Sequence, residues 1–191
     1  MLMKIRKSSL KDLDMIMEIY EIARNFMSET GNPNQWGPNK WPPVDLVIND
    51  IKEEKSYLVC SNSDDSDDSN DDKGNKKLDL SKDNKGEIIL GVFYFDYGKD
   101  IDPCYLNIEE GEWMDDSPYG VLHRIASAQI KKGILEFVID WCFQRCNHIR
   151  IDTHEENAIM QKCLEKLGFS KRGTIYVKQD NYPRIAFEKT L

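Results

Sequence analysis

No stretch of this chain is apolar enough for long enough to cross a bilayer. The longest nearly unbroken run, Ile88 to Phe95, would fill one buried strand and no more, so a membrane is not an expected partner. Positive charge is also scarce. Lys and Arg number 26 against 34 Asp and Glu, a formal net charge of -8, and without a basic stripe to displace counterions a nucleic acid is not expected either. Metal-type cysteine pairs are lacking: Cys60, Cys104, Cys142, Cys146 and Cys163 make an odd set of five with no CxxC spacing, which suits reduced thiols in the cytosol. A metal reading would have to combine Cys142 and Cys146 with His148. The two cysteines fall one helical turn apart in an apolar segment, where cysteine serves as a small core residue, so no metal is expected. Lys4, Arg6 and Lys7 lead into an amphipathic segment instead of an apolar run with a small-residue cleavage site. No secretory signal is readable, and a cytoplasmic location is the expectation. Internal repeats are absent.

What is present suits a globular enzyme-sized unit. With 191 residues, 40% hydrophobic and 31% charged, the chain is long enough for one well-buried core, and a single domain over 1–191 is expected. From Asn62 to Lys85 the sequence runs NSDDSDDSNDDKGNKKLDLSKDNK, in which only Leu78 and Leu80 are apolar. Such a segment cannot bury enough surface to offset its ordering entropy, so 62–85 reads as a solvated, disordered-looking loop insertion within the domain. Its eight Asp and five Lys hold -3 of the net charge and leave -5 for the rest. The Asp-x-Asp-x-Asp-Gly order of a calcium loop does not occur in it.

Around the insertion, strand and helix periodicities alternate. Met3 to Lys7 reads as a strand, and Ser9 with Asp12 three residues on offers a capping-box helix start. Leu10, Leu13, Met17, Tyr20, Ala23 and Met27 recur at intervals of three and four and predict one buried face, ending near Gly31. The loop GNPNQWGPNKWPP carries Trp36 and Trp41, which a purely solvated connector has little reason to hold. A second helix over Val44 to Lys52 and a strand over Ser56 to Cys60 precede the insertion, and strands follow over Glu87 to Asp96 and Val121 to Ser127. Gly133 to Arg145 has helical spacing, His148 to Thr153 strand character, and Asn157 caps a helix that Gly168 ends. Strands over Ser170 to Tyr176 and Arg184 to Lys189 close the chain around a QDNYP turn. This order calls for an α/β (α+β) fold, a mixed sheet of six to seven strands flanked by about four helices.

The unit that carries chemistry is the strand 121–127, the turn QIKKG and the helix opening at Gly133. Amides at a helix start lack intrahelical partners and, with the helix dipole, favour a phosphate. Gly133 lets a ligand approach the backbone, while Lys131 and Lys132 add positive charge to an acidic chain. Downstream, in the matching order, stands NAIMQKCLEKLGF from Asn157 to Phe169. Together these segments resemble the GNAT (GCN5-related N-acetyltransferase) superfamily. NQWGPNKWP, EWMDDSPYGVLHRIAS and IRIDTHEEN look like an uncharacterised bacterial branch of it, and the resemblance covers the whole chain apart from the insertion. It implies acetyl-CoA as acyl donor. It implies that Ile125, Ala126 and Ser127 offer backbone groups to the pantetheine arm, that Lys131, Lys132, Gly133 and Ile134 hold the pyrophosphate, and that Asn157 contacts the cofactor. The turn departs from the family pattern at Ile130 and Leu135, and Leu164 stands where the family often places a thiolate-protonating Tyr. A water or Tyr176 is left for that role.

Acyl transfer to nitrogen needs a neutral amine, a donor for the developing oxyanion and a route for the amine's proton. Amides about Ile125 supply the donor if the strand splays from its neighbour as the resemblance implies. His123, on a strand expected to be covered on both faces, is read either as the base or as a histidine that hydrogen-bonds a neighbour. Arg124 is expected on the opposite face, paired with Asp152. Acidic and aromatic residues in the loop 107–119, among them Glu109, Glu112, Trp113 and Tyr119, suit a cationic amine, with Trp36 closing the other side. The expected acceptor is thus the primary amine of a small molecule. A non-catalytic acyl-CoA-binding module and a protein or peptide N-acetyltransferase are the alternatives, and the oligomeric state, a homodimer included, is left open.

Overall fold

The computed structural model describes residues 2–62, 86–178 and 182–191. The insertion beyond Asn62, and residues 179–181 of the closing turn, lie outside them.

Seven strands form one sheet in the order β1-β2-β3-β4-β5-β7-β6. They are β1 (Met3–Lys7), β2 (Ser56–Asn62), β3 (Glu87–Gly98), β4 (Tyr119–Ser127), β5 (His148–His154), β6 (Ser170–Tyr176) and β7 (Pro183–Thr190). The helices are α1 (Leu13–Glu29), α2 (Val44–Lys52), α3 (Ile134–Phe143) and α4 (Ala158–Lys166). Every pairing is antiparallel except β4 with β5, so the sheet is mixed as the element order predicts. The apolar run of β3 is sorted into two layers, and a register slip against β2 at Leu90, between Ile89 and Gly91, lets residues three apart share a face. Ile89 and Val92 pack with Ile16, Ile19 and Val47 under α1 and α2, while Leu90 and Phe93 pack with Val138 and Leu164 under α3 and α4. A third cluster, Tyr105, Tyr119, Val121, Ile175, Val177 and Ala186, lies under the loop that joins β3 to β4.

The first helix differs in detail from its periodicity. Ser9 and Asp12 do form the capping box, but it opens a 3-10 turn over Leu10–Asp12 before α1 begins. That tighter turn rotates the apolar stripe, so Ile16 and Ile19 are buried with Tyr20, Ala23 and Met27 while Leu10 is exposed.

Two features of β4 position the site. First, its register against β3 slips by one residue: Val92 pairs with Ala126 but Tyr94 with His123, so Arg124 and Ile125 together face Phe93. Arg124 takes up the extra length with a left-handed φ of 51°. Second, β4 and β5 pair only at Gly120 with Ile149 and Val121 with Arg150, and past that point the two strands run unpaired. The Ala128 amide donates to the Leu90 carbonyl of β3 at 2.9 Å. Alternation back from there turns the amides of Ile125 and Ser127 away from β3, toward the side on which β5 has left register.

Candidate active site

A cleft of about 380 Å³ opens over the parting of β4 and β5. Its walls come from α2, the 101–104 loop, β4, the end of β5 and the start of α4, with Trp36 and Trp41 to one side.

His123 stands in this cleft between two carboxylates. Its Nε2 lies 2.5 Å from Asp102 Oδ2, and its Nδ1 lies 3.5 Å from Asp152 Oδ1. Asp152 in turn accepts the Tyr105 hydroxyl at 2.8 Å. Burial pushes the Asp102 carboxyl up, but hydrogen bonding and charge from His123, with the Cys104 amide, outweigh it and hold the group below the usual carboxylate range. An ionised Asp102 accepting from Nε2–H assigns the second ring nitrogen, Nδ1, as the one able to take a proton. Nearby, burial first and Asp96 second push the Tyr94 hydroxyl up to about 12.

Arg124 is not where strand alternation places it. Its guanidinium donates to Asp50 on α2, at 2.8 Å from Nη2 and 3.0 Å from Nε, and lies 4.4 Å over the Tyr94 ring. Tyr94 is the cross-strand partner of His123, so both β4 side chains reach the same face. The expected Arg124–Asp152 pair is therefore replaced by Arg124–Asp50, because the extra residue in β4 cancels one step of alternation. Desolvation raises the Asp50 carboxyl, and Arg124 offsets only part of that.

The residues expected to hold a donor are only partly gathered. Ile125 and Asn157 line the cleft. Ala126 and Ile134 have buried side chains, so only their backbones are available, and Ser127, Lys131 and Lys132 stand at the edge where β4 runs out. Gly133 caps α3 with a left-handed φ of 82°, in open space where a Cβ would meet nothing within 4 Å, and no side chain caps the helix. The turn thus offers an incoming anion its uncapped amides. Asn157 already has work: its Oδ1 accepts from the Met160 amide at 3.1 Å, and its Nδ2 donates to Gln35 at 2.8 Å. Asn34 also reaches Glu156 at 2.9 Å, so the tryptophan loop is tied to the start of α4.

Several of the residues singled out in the sequence lie away from this cleft. Tyr176 is half exposed at the end of β6 and does not line the cleft, whereas its neighbour Val177 does. Glu109, Glu112, Trp113 and Tyr119 are also absent from the cleft wall. Glu109 forms a backbone bridge with Thr174, and Glu112 is exposed. Trp113 and Tyr119 sandwich the Arg150 guanidinium at 4.3 and 4.1 Å, while Arg150 donates to the buried Glu188 at 2.9 Å. Their aromatic area is spent on covering an ion pair. His154 is buried and accepts the Glu156 amide at 3.2 Å, which makes it a turn residue. His148 hydrogen-bonds Glu188 at 2.6 Å, and Cys146 donates to the Cys142 carbonyl, so these three do not converge as metal ligands. Of the acceptor-side residues expected from sequence, Trp36 does line the cleft, packed edge-on to Tyr20. Sequence reasoning missed Asp50 and Asp102 altogether.

No helix of the described residues is long and apolar enough to cross a membrane. No protein-family model and no curated protein matches the chain. Solved structures do match. A GNAT-family acetyltransferase from Streptococcus agalactiae 2603 superposes with a TM-score of 0.75 at 24% identity, covering 99% of this chain and 95% of that one. A putative acetyltransferase from Staphylococcus aureus Mu50 gives 0.58 at 22% identity, with 97% of each chain covered. Arabidopsis thaliana NAA60, solved in complex with acetyl-CoA, gives 0.60 at 9% identity over 100% of this chain and 99% of that one. The sheet order, the parting of β4 from β5 and these superpositions together establish that the chain has the fold of the GNAT acetyltransferases.

Proposed function

We propose that the protein is an N-acetyltransferase that moves an acetyl group from acetyl-CoA to the primary amine of a small molecule, by direct attack with both substrates bound. The observation that carries this reading is the single cleft in which the unpaired edge of β4 meets the His123–Asp102 pair. Acetyl-CoA, when bound, supplies an activated acyl group and a thiolate that leaves readily. The rest falls to residues of the chain. Amides at the start of α3, with Lys131 and Lys132, hold the pyrophosphate, and the backbone of Ile125 to Ser127 receives the pantetheine arm. The Ile125 amide also faces the place where negative charge develops on the acyl oxygen.

His123 accepts the amine's proton at Nδ1, directly or through one water, while Asp102 fixes its tautomer and stabilises the charge that forms. Asp102 and Asp152 bring carboxylates to the acceptor side, where Asp50 is paired with Arg124, and Trp36, Trp41 and Tyr94 give it aromatic walls. That lining favours a cationic amine of modest size. A tyrosine at the Leu164 position has no counterpart here, since Leu164 is fully buried in the core. A water serves as proton source for the departing thiolate.

The test is incubation with acetyl-CoA and a panel of amines and peptides, following free thiol. Amine-dependent, saturable thiol release with a sequential rate law supports the proposal. Cofactor-dependent thermal stabilisation without turnover would instead favour a binding module, and release only with peptides would favour a peptide N-acetyltransferase.

A further inference from the structure

Thr153, on β5 opposite Ile185 of β7, is 1% exposed and lines the cleft. Its Oγ1 has no hydrogen-bond partner among the described residues. A buried hydroxyl left unsatisfied destabilises a fold, and valine would fill the same volume without that loss. Other buried hydroxyls of this chain do find acceptors: Ser8 Oγ donates to the Ser56 carbonyl at 3.0 Å, and Tyr105 to Asp152 at 2.8 Å. The Thr153 hydroxyl therefore has a hydrogen bond to offer whatever occupies the cleft.

The position of Thr153 says which group. It lies beyond Arg150, the last β5 residue in register with β4. Alternation along β5 puts it on the face of Ile149 and Ile151, which pack toward α3 and α4, and opposite Asp152 on the His123 side. It thus stands along the wall of the parting, between the acceptor end of the cleft and the helix start that would take a diphosphate. Asn157 and Met160 line the cleft beside it.

We infer that Thr153 is a binding residue for the pantetheine arm of the acyl-CoA donor, its hydroxyl hydrogen-bonding one of the arm's two amides as the arm lies between β4 and β5. The inference rests on the donor site proposed above. A hydroxyl both donates and accepts, so it suits either the N–H or the carbonyl of such an amide. Because the nucleotide end binds elsewhere, Thr153 contributes to holding the arm and not the adenosine phosphates.

Calorimetric titration of the full chain with two ligands tests this: coenzyme A, and 3′-phosphoadenosine 5′-diphosphate, which lacks the arm. Thr153→Val should weaken coenzyme A by roughly three- to tenfold, the worth of one hydrogen bond, and leave the arm-less nucleotide unchanged. Thr153→Ser, which keeps the hydroxyl, should bind coenzyme A within about twofold of the wild type, well inside the loss expected for the missing hydrogen bond. The unliganded Thr153→Val protein should also unfold about 2–4 °C higher, since it no longer buries an orphan. Unchanged coenzyme A affinity in Thr153→Val, equal weakening of both ligands, or a Ser variant as weak as Val each overturn the inference while leaving the donor site standing. A wild-type protein that binds neither ligand removes the donor site itself, and the inference with it.

Discussion

His123 Nε2 and Asp102 Oδ2 sit 2.5 Å apart although 21 residues separate them along the chain. The contact exists because the β3–β4 loop folds back over the sheet, where Asp102 also caps the short turn Pro103–Tyr105 by accepting the Cys104 amide at 2.8 Å. One carboxylate therefore fixes both a loop and the orientation of an imidazole.

His123→Ala is expected to lower the turnover number by about 10²–10⁴ while leaving coenzyme A affinity alone, the range typical of a lost general base. Asp102→Asn should lower it too, because the amide no longer holds the proton on Nε2. Steady-state kinetics across pH, alongside titration with coenzyme A, check both. Undiminished turnover of His123→Ala over the whole pH range removes this residue from the mechanism.

Trp36 and Trp113 should behave oppositely. Trp36 walls the cleft, so Trp36→Ala is expected to raise KM for the amine at least severalfold. Trp113 covers Arg150 and is partly buried, so Trp113→Ala should cost about 1–3 kcal/mol of stability, below the range of a core tryptophan, with KM for the amine unaltered. A matched pair of KM and urea-denaturation measurements distinguishes the two roles.

Glu188 predicts an acid limit to stability. Burial pushes its carboxyl up, but hydrogen bonds from His148, the Met114 amide and Arg150 more than offset this and hold it below the ordinary glutamate value. A depressed folded-state pKa gives stabilisation that is complete above about 4.3, the unfolded value, and is lost as pH falls through the lower folded one. Thermal unfolding of the wild type should thus drop steeply below about pH 4, and Glu188→Gln should flatten that slope. Glu188→Ala strands Arg150 and should cost about 3–5 kcal/mol at pH 7.

Gly133→Ala is expected to destabilise by about 1 kcal/mol, from the left-handed φ alone, because the new methyl group meets no neighbour. Urea titration with an unchanged m-value would confirm that the native packing is intact. A neutral result would mean that the turn relaxes to a negative φ.

The order and type of the elements were legible because each rests on local periodicity. The run Ile88 to Phe95, the Asn157 cap and the terminating Gly31 and Gly168 carry their conformations in a few neighbouring residues. His123 was legible as a titratable residue in a strand expected to be covered on both faces. Its partners were not, since Asp50 and Asp102 are ordinary acidic residues until the tertiary fold brings them to β4. The loop 107–119 has the same limit: Trp113 and Tyr119 look like pocket aromatics in the sequence, and only the fold reveals the Arg150 guanidinium between them. Nor does any sequence signal mark Arg124, a non-glycine residue, as the left-handed position in β4.

That one additional residue in β4 is absorbed as a local kink. With Arg124 removed, Ile125 alone would face Phe93 while His123 and Ala126 kept Tyr94 and Val92 as partners, so the strand would close into a regular ladder. A β4 shortened there should therefore still pair in register with β3, but it would lose the irregularity that brings two successive side chains, an imidazole and a guanidinium, to one face of the sheet.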